Sequence, residues 1–130
     1  GKPTKTYQQA YNAVADAQTV SINTVADGVS CAEIDALARK VIEDAGFAPY
    51  GHGLGHGLGM EVHEMPVVSK LSREKLRTGQ VITIEPGIYV PGKFGIRIED
   101  DIVVTDTGCK ILSRKNKSPK LKMLLYTDHN

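Results

Sequence analysis

At 130 residues, with 41% hydrophobic and 24% charged side chains, the chain is long enough to bury one real core and has the balance of a soluble globular domain. A net charge of +1 argues against nucleic acid and against a charged membrane surface as partners. No apolar run approaches spanning length, and no signal-peptide pattern opens the chain.

The first helix is predicted over residues 6–26. Tyr7, Ala10, Tyr11, Val14, Ala17, Ile22 and Val25 recur at helical spacing and define one face. Thr6 with Gln9 fits a capping box, and Thr4 is an equally good cap. Asp27-Gly28 supplies the stop. Ser30 with Glu33 makes a second capping box, followed by a stripe of Ile34, Leu37, Ala38, Val41, Ile42 and Ala45 that Gly46 closes. The pair is a helix–turn–helix in the architectural sense alone. Its second helix carries Glu33, Asp35, Glu43 and Asp44 against Arg39 and Lys40, which excludes a DNA-reading role.

Residues 51–64, GHGLGHGLGMEVHE, are too rich in glycine for a helix, and Leu58, Met60 and Val62 alternate as a strand would. Residues 66–78 read as a polar surface loop that turns at Thr78-Gly79. Residues 81–90 and 96–104 are rich in β-branched side chains and are predicted strands, joined by the hairpin connection at residues 91–95. A third short strand is expected at residues 110–112, after the turn at residues 106–108. Residues 113–130 form a tail that is basic as far as Lys122 and apolar at Met123, Leu124 and Leu125. The order, two helices and then an antiparallel meander, is that of an α+β fold. The two cysteines, Cys31 and Cys109, lie far apart without a CxxC spacing, which fits unpaired thiols in a reducing cytoplasm.

Chemistry concentrates in the glycine-rich stretch and the two strands. His52, His56 and His63 stand among five glycines, and Glu85 and Glu99 interrupt the apolar runs VITIEPGIYV and GIRIEDDIVV. A divalent first-row ion takes neutral imidazole and ionised carboxylates from a rigid frame, which makes His56, Glu85 and Glu99 a candidate ligand set. A carboxylate inside an apolar strand is costly unless it is paired or coordinated. The duller reading stays open from spacing alone: histidines that are hydrogen-bonded in a loop, and glutamates that are salt-bridged near Arg97. A phosphate cradle is disfavoured, since GHGLGHGLG is not the dinucleotide fingerprint and no helix start follows it. His56 with Glu61 or Glu64 does not form HExxH.

Together, GHGLGHGLGMEVHEMP and TIEPGIYVPGKFGIRIEDDIVVT closely resemble the C-terminal signature of the Xaa-Pro peptidases, prolidase and aminopeptidase P, of the pita-bread metallopeptidase family. The match spans residues 51–112, with both helices in the expected order before it. The resemblance implies that His56 is a metal ligand, that Glu85 is a ligand that also handles the proton of the attacking water, and that Glu99 bridges two ions. It places His52 and His63 as non-ligand histidines that steady the substrate carbonyl and the tetrahedral intermediate, with Arg97 behind the ligands. The implied cofactors are two divalent ions (Mn, Co or Zn) in the full-length enzyme. The implied substrates are peptides with proline after the scissile bond, cut by hydrolysis in a cytoplasmic homo-oligomer.

One departure from the family pattern is large. The family's site also uses two aspartates from a β-hairpin ahead of the first helix, and Asp16 and Asp27 resemble that pair in separation only, since both fall in the first helix pattern. The opening GKPTKT resembles the segment just after the second aspartate, so residues 1–130 are expected to be the C-terminal part of a catalytic domain. Three ligands cannot close a site around two ions, and this chain alone is expected to bind metal weakly or not at all and to show no peptidase activity. Two alternatives remain at this stage. One is a metal-independent, creatinase-like enzyme with a histidine as acid–base; the other is a non-catalytic module that reuses half the fold for protein contacts.

Overall fold

Helix α1 (Lys5–Thr24) starts at Thr4, whose hydroxyl accepts the Tyr7 N–H at 3.2 Å, so of the two candidate caps Thr4 is used. The structure, a computed structural model, describes residues 2–113, and residues 114–130 of the expected basic tail lie outside the described residues. Ala10, Ala13, Val14, Ala17, Gln18 and Ser21 form the buried face of α1. The helix ends at Thr24, two residues short of the predicted end, because Val25 turns to extended backbone and buries its own side chain.

Helix α2 (Cys31–Asp44) follows Ser30, which makes no side-chain capping bond, so the second capping box is not realised. Ile34, Ala38 and Ile42 are fully buried, as the stripe requires. Leu37 is half-exposed and Asp35 is buried in its place, which rotates the inward face of α2 away from the predicted one. Gly46, at φ +85°, reverses the chain beyond α2 in the left-handed conformation that favours glycine.

The rest is antiparallel β. Strands β1 (Gly55–Gly57), β2 (Glu64–Val68), β3 (Val81–Ile84), β6 (Asp100–Thr105) and β7 (Gly108–Ile111) form a five-stranded sheet in the order β2-β1-β3-β6-β7. Strands β4 (Gly87–Val90) and β5 (Phe94–Arg97) form a separate two-stranded ribbon. Both long predicted strands are therefore broken. Residues 81–90 leave the large sheet after Ile84 and enter the ribbon at Gly87, and the returning chain crosses back at Ile98 and Glu99. The order is consequently not a simple meander, since β3 pairs with β6 across the excursion.

Two further expectations fail locally. Leu58, Met60 and Val62 are not in a strand: residues 59–63 form bends, held where the Glu64 carboxylate accepts the Glu61 N–H at 2.8 Å, and Met60 is fully exposed. The segment 66–78 is not all surface loop either, because it begins within β2 and buries Leu76. Helices α1 and α2 pack on each other; α1 also meets β3, β4, β5 and β7, and α2 meets β2. The core between helices and sheet includes Val14, Ile34, Ile42, Leu54, Ile82, Ile84 and Ile102. Both cysteines are free, and burial pushes both thiols above their ordinary value.

Candidate metal centre

Strand β1 is squeezed between β2 and β3, and its glycines make that approach possible. A Cβ on Gly55 would lie 1.9 Å from the Thr83 carbonyl oxygen, and one on Gly57 would lie 2.2 Å from that of Met65. The residue between them, His56, is thereby fixed in the middle of three strands. Its backbone N–H donates to the Thr83 hydroxyl at 3.1 Å, and that hydroxyl donates to Glu85 Oε1 at 2.9 Å.

The imidazole is oriented as a ligand would be. Nδ1 lies 2.9 Å from the Gly57 carbonyl, which can only accept, so Nδ1 carries the proton in the neutral ring. Nε2 then faces Glu85 Oε1 at 3.2 Å, and both side chains are largely buried. Two electron-rich atoms at that separation need positive charge between them, either a proton on the imidazole or a bound cation. An imidazole nitrogen beside an ionised carboxylate is also the donor chemistry of divalent first-row ions, so these two residues fit such an ion.

Glu99 joins this pair through Arg97. The Arg97 Nε lies 3.6 Å from Glu85 Oε2 and 4.0 Å from Glu99 Oε2. The neighbouring Tyr89 hydroxyl, followed by Glu85 and Glu99, raises the Arg97 guanidinium above its ordinary value. Among the described residues, no three His, Cys, Asp or Glu side chains stand close enough together to hold an ion. His56 and Glu85 are thus brought into contact, and Glu99 is one arginine away.

His52, His56, His63, Glu85 and Arg97 line one open cleft of about 940 Å³, with Met60, Met65 and Val67 as its apolar wall. The His63 ring centroid is 4.2 Å from that of His56. His52 has its Nδ1 on the Gly53 carbonyl at 2.7 Å, and its Nε2 meets the Tyr89 hydroxyl at 2.9 Å. Asp16 and Asp27 take no part: Asp16 is exposed on α1, and the Asp27 carboxylate accepts the Thr78 N–H at 2.7 Å.

The model of metallopeptidase family M24 matches residues 1–106. The chain belongs to metallopeptidase family M24. An uncharacterised peptidase of Staphylococcus epidermidis is 49% identical over 118 residues, covering 90% of this chain and 34% of that protein. A Staphylococcus aureus peptidase is 47% identical over the same length. Among solved structures, the prolidase of Pyrococcus horikoshii is similar at a TM-score of 0.88 and 40% identity, covering 92% of this chain and 35% of that one. The X-Pro aminopeptidase of Thermotoga maritima has a TM-score of 0.86 and 40% identity, covering 91% and 34%. The fold is thus a partial pita-bread fold, and the chain spans about a third of the length of the curated relatives it matches.

Several residues that hold this centre are not among the candidate ligands or histidines. Thr83 and Tyr89 hold Glu85 and His52, and Asp35 with Arg39 holds the loop that leads to them. Arg39 donates to the carbonyls of Tyr50 and His52, each at 2.7 Å, while Asp35 accepts the Leu54 N–H at 3.1 Å. The Leu54 carbonyl in turn accepts the Glu85 N–H at 2.7 Å, so helix α2 reaches the site through backbone. Thr83, two residues before Glu85 on the same strand face, is the one that alternation alone could have found.

Proposed function

We propose that this chain carries the imidazole and glutamate portion of a metal-dependent Xaa-Pro peptidase site. The observation that carries the reading is the 3.2 Å approach of His56 Nε2 to Glu85 Oε1 within a cleft. His56, Glu85 and Glu99 would hold divalent metal (Mn, Co or Zn). When bound, the ions supply positive charge that polarises the scissile carbonyl and acidifies water. Glu85, steadied by the Thr83 hydroxyl, accepts the proton of the attacking water. His63 flanks the ligands and offers a ring N–H to the substrate carbonyl oxygen and to the charge that develops on it, and His52, held at both ring nitrogens by the Gly53 carbonyl and the Tyr89 hydroxyl, steadies the substrate from beside it. Arg97 offsets the mutual repulsion of Glu85 and Glu99.

Selectivity for the bond before proline is supported by the likeness to the prolidase and the X-Pro aminopeptidase, and by the apolar wall of the cleft. Two free cysteines accord with a cytoplasmic location. No aspartate joins the donor set among the described residues, so this chain by itself binds metal weakly and does not turn over peptide. Calorimetric titration with Mn2+ or Co2+, alongside an assay on an Ala-Pro dipeptide, tests this. Weak binding without turnover is expected, and two tight sites or measurable hydrolysis would contradict it.

A further inference from the structure

Gln18 sits on the buried stripe of α1, one turn beyond Val14, and is only 7% exposed. A buried carboxamide must find partners, and the partners of this one are specific. Its Nε2 donates to the Ile84 carbonyl at 3.3 Å and to the Ile98 carbonyl at 3.0 Å. Both partners are carbonyl oxygens, so the face turned toward them must be the NH2 group. These are the residues immediately before Glu85 and Glu99.

We infer that Gln18 is a positioning residue that sets Glu85 and Glu99 relative to one another. Ile84 ends β3 and Ile98 lies between β5 and β6, so both carbonyls mark the point where the chain passes between sheet and ribbon. The regular pairings stop on either side, at Ile84 opposite Asp100 and Gly87 opposite Arg97. Across the gap the Ile98 N–H reaches the Pro86 carbonyl at 3.3 Å. The planar NH2 of Gln18, with two protons at fixed spacing, ties the two peptide planes from the helix side. Rotation of either plane would swing the carboxylate that follows it. Thr83 and Arg97 touch the carboxylates directly, whereas Gln18 acts on them through backbone. Its functional meaning rests on the metal-site reading; the tie itself does not.

Gln18→Met keeps the length of the side chain and removes both donors. Hydrogen exchange at the amides of Glu85 and Ile98 then reads the crossings with no metal present. In Gln18→Met these amides are expected to exchange about tenfold faster than the change in global stability explains. Ile42→Val, a buried change in α2, should speed them only by its global effect. Mn2+ is expected to bind Gln18→Met about tenfold more weakly than wild type, and Ile42→Val as wild type. A folded Gln18→Met chain with unchanged Mn2+ affinity and no selective loss of protection would overturn the role. Should that variant not fold, the wild type decides: slow exchange of the Gln18 side-chain amide protons supports the tie, and free-amide rates refute it. Selective loss of protection in Gln18→Met, in a wild type that binds no Mn2+ at these residues, would refute the metal reading and leave the tie standing.

Discussion

Asp35 is fully buried and ionisable, and the loop that carries His52 depends on how it is satisfied. Its oxygens accept from Arg39 Nε at 2.6 Å, Arg39 Nη2 at 3.3 Å, the Tyr50 hydroxyl at 3.3 Å and the Leu54 N–H at 3.1 Å. Removing one member of such a buried pair leaves its partner uncompensated, so Asp35→Ala is expected to cost about 3–5 kcal/mol in urea unfolding. A loss within a few tenths would contradict the role. Tyr50 follows from the same cluster. Burial first, and then the charge of Asp35, raise its hydroxyl far above the ordinary value of 10.0. The unfolded chain therefore gives up this proton first, and stability falls as pH rises beyond about 10. Tyr50→Phe should lack that part of the alkaline decline, as denaturant midpoints between pH 9 and 11.5 would report; an unchanged slope would count against it. Gln18 was also open to a reading from sequence, as a long polar residue on a largely apolar stripe. Its partners were not, because they lie 66 and 80 residues away.

At the scale of elements, β1 works because it has no side chains where its neighbours press. Gly55→Ala and Gly57→Ala would each force a Cβ into backbone carbonyl atoms that cannot give way. Each is expected to cost roughly 1–3 kcal/mol or more and to weaken the His56–Glu85 approach. Thermal unfolding together with the His56 imidazole nitrogen shifts would check this, and wild-type values for both would refute it. The same glycines were conspicuous in the sequence, but which backbone presses against them was not. The break at Glu85 and Pro86 was equally hidden, since Thr83, Ile84, Ile88 and Tyr89 have one and the same β preference. Partner strands, not local propensity, decide where a chain leaves a sheet. For the bends at residues 59–63 the alternation of Leu58, Met60 and Val62 misled, because the Glu64 carboxylate accepts the Glu61 N–H within that segment.

At the scale of the described residues the class was legible: two helices, then antiparallel strands. Hydrophobic periodicity carries that much. The two-sheet arrangement and the packing of α1 toward the carboxylate crossings depend on contacts between distant residues. Among the described residues no helix is long and apolar enough to cross a membrane. Strand β2 forms one edge of the large sheet, and exposed Met65, Val67 and Leu71 lie along or just beyond it. Among the described residues β2 pairs on one side alone, and an edge with such side chains invites pairing between copies. Sedimentation is expected to show association that grows with concentration, and a strict monomer at high concentration would contradict this.

The account stands on the proposal that His56 and Glu85, in contact, and Glu99, on the far side of Arg97, take up one cation between them. Titrating Mn2+ into the isotopically labelled chain while following paramagnetic line broadening tests that most directly. Signals of these three residues and of Thr83 should broaden first, and His56→Ala should abolish the effect. Broadening spread over surface carboxylates such as Asp44, or left unchanged by His56→Ala, would contradict it.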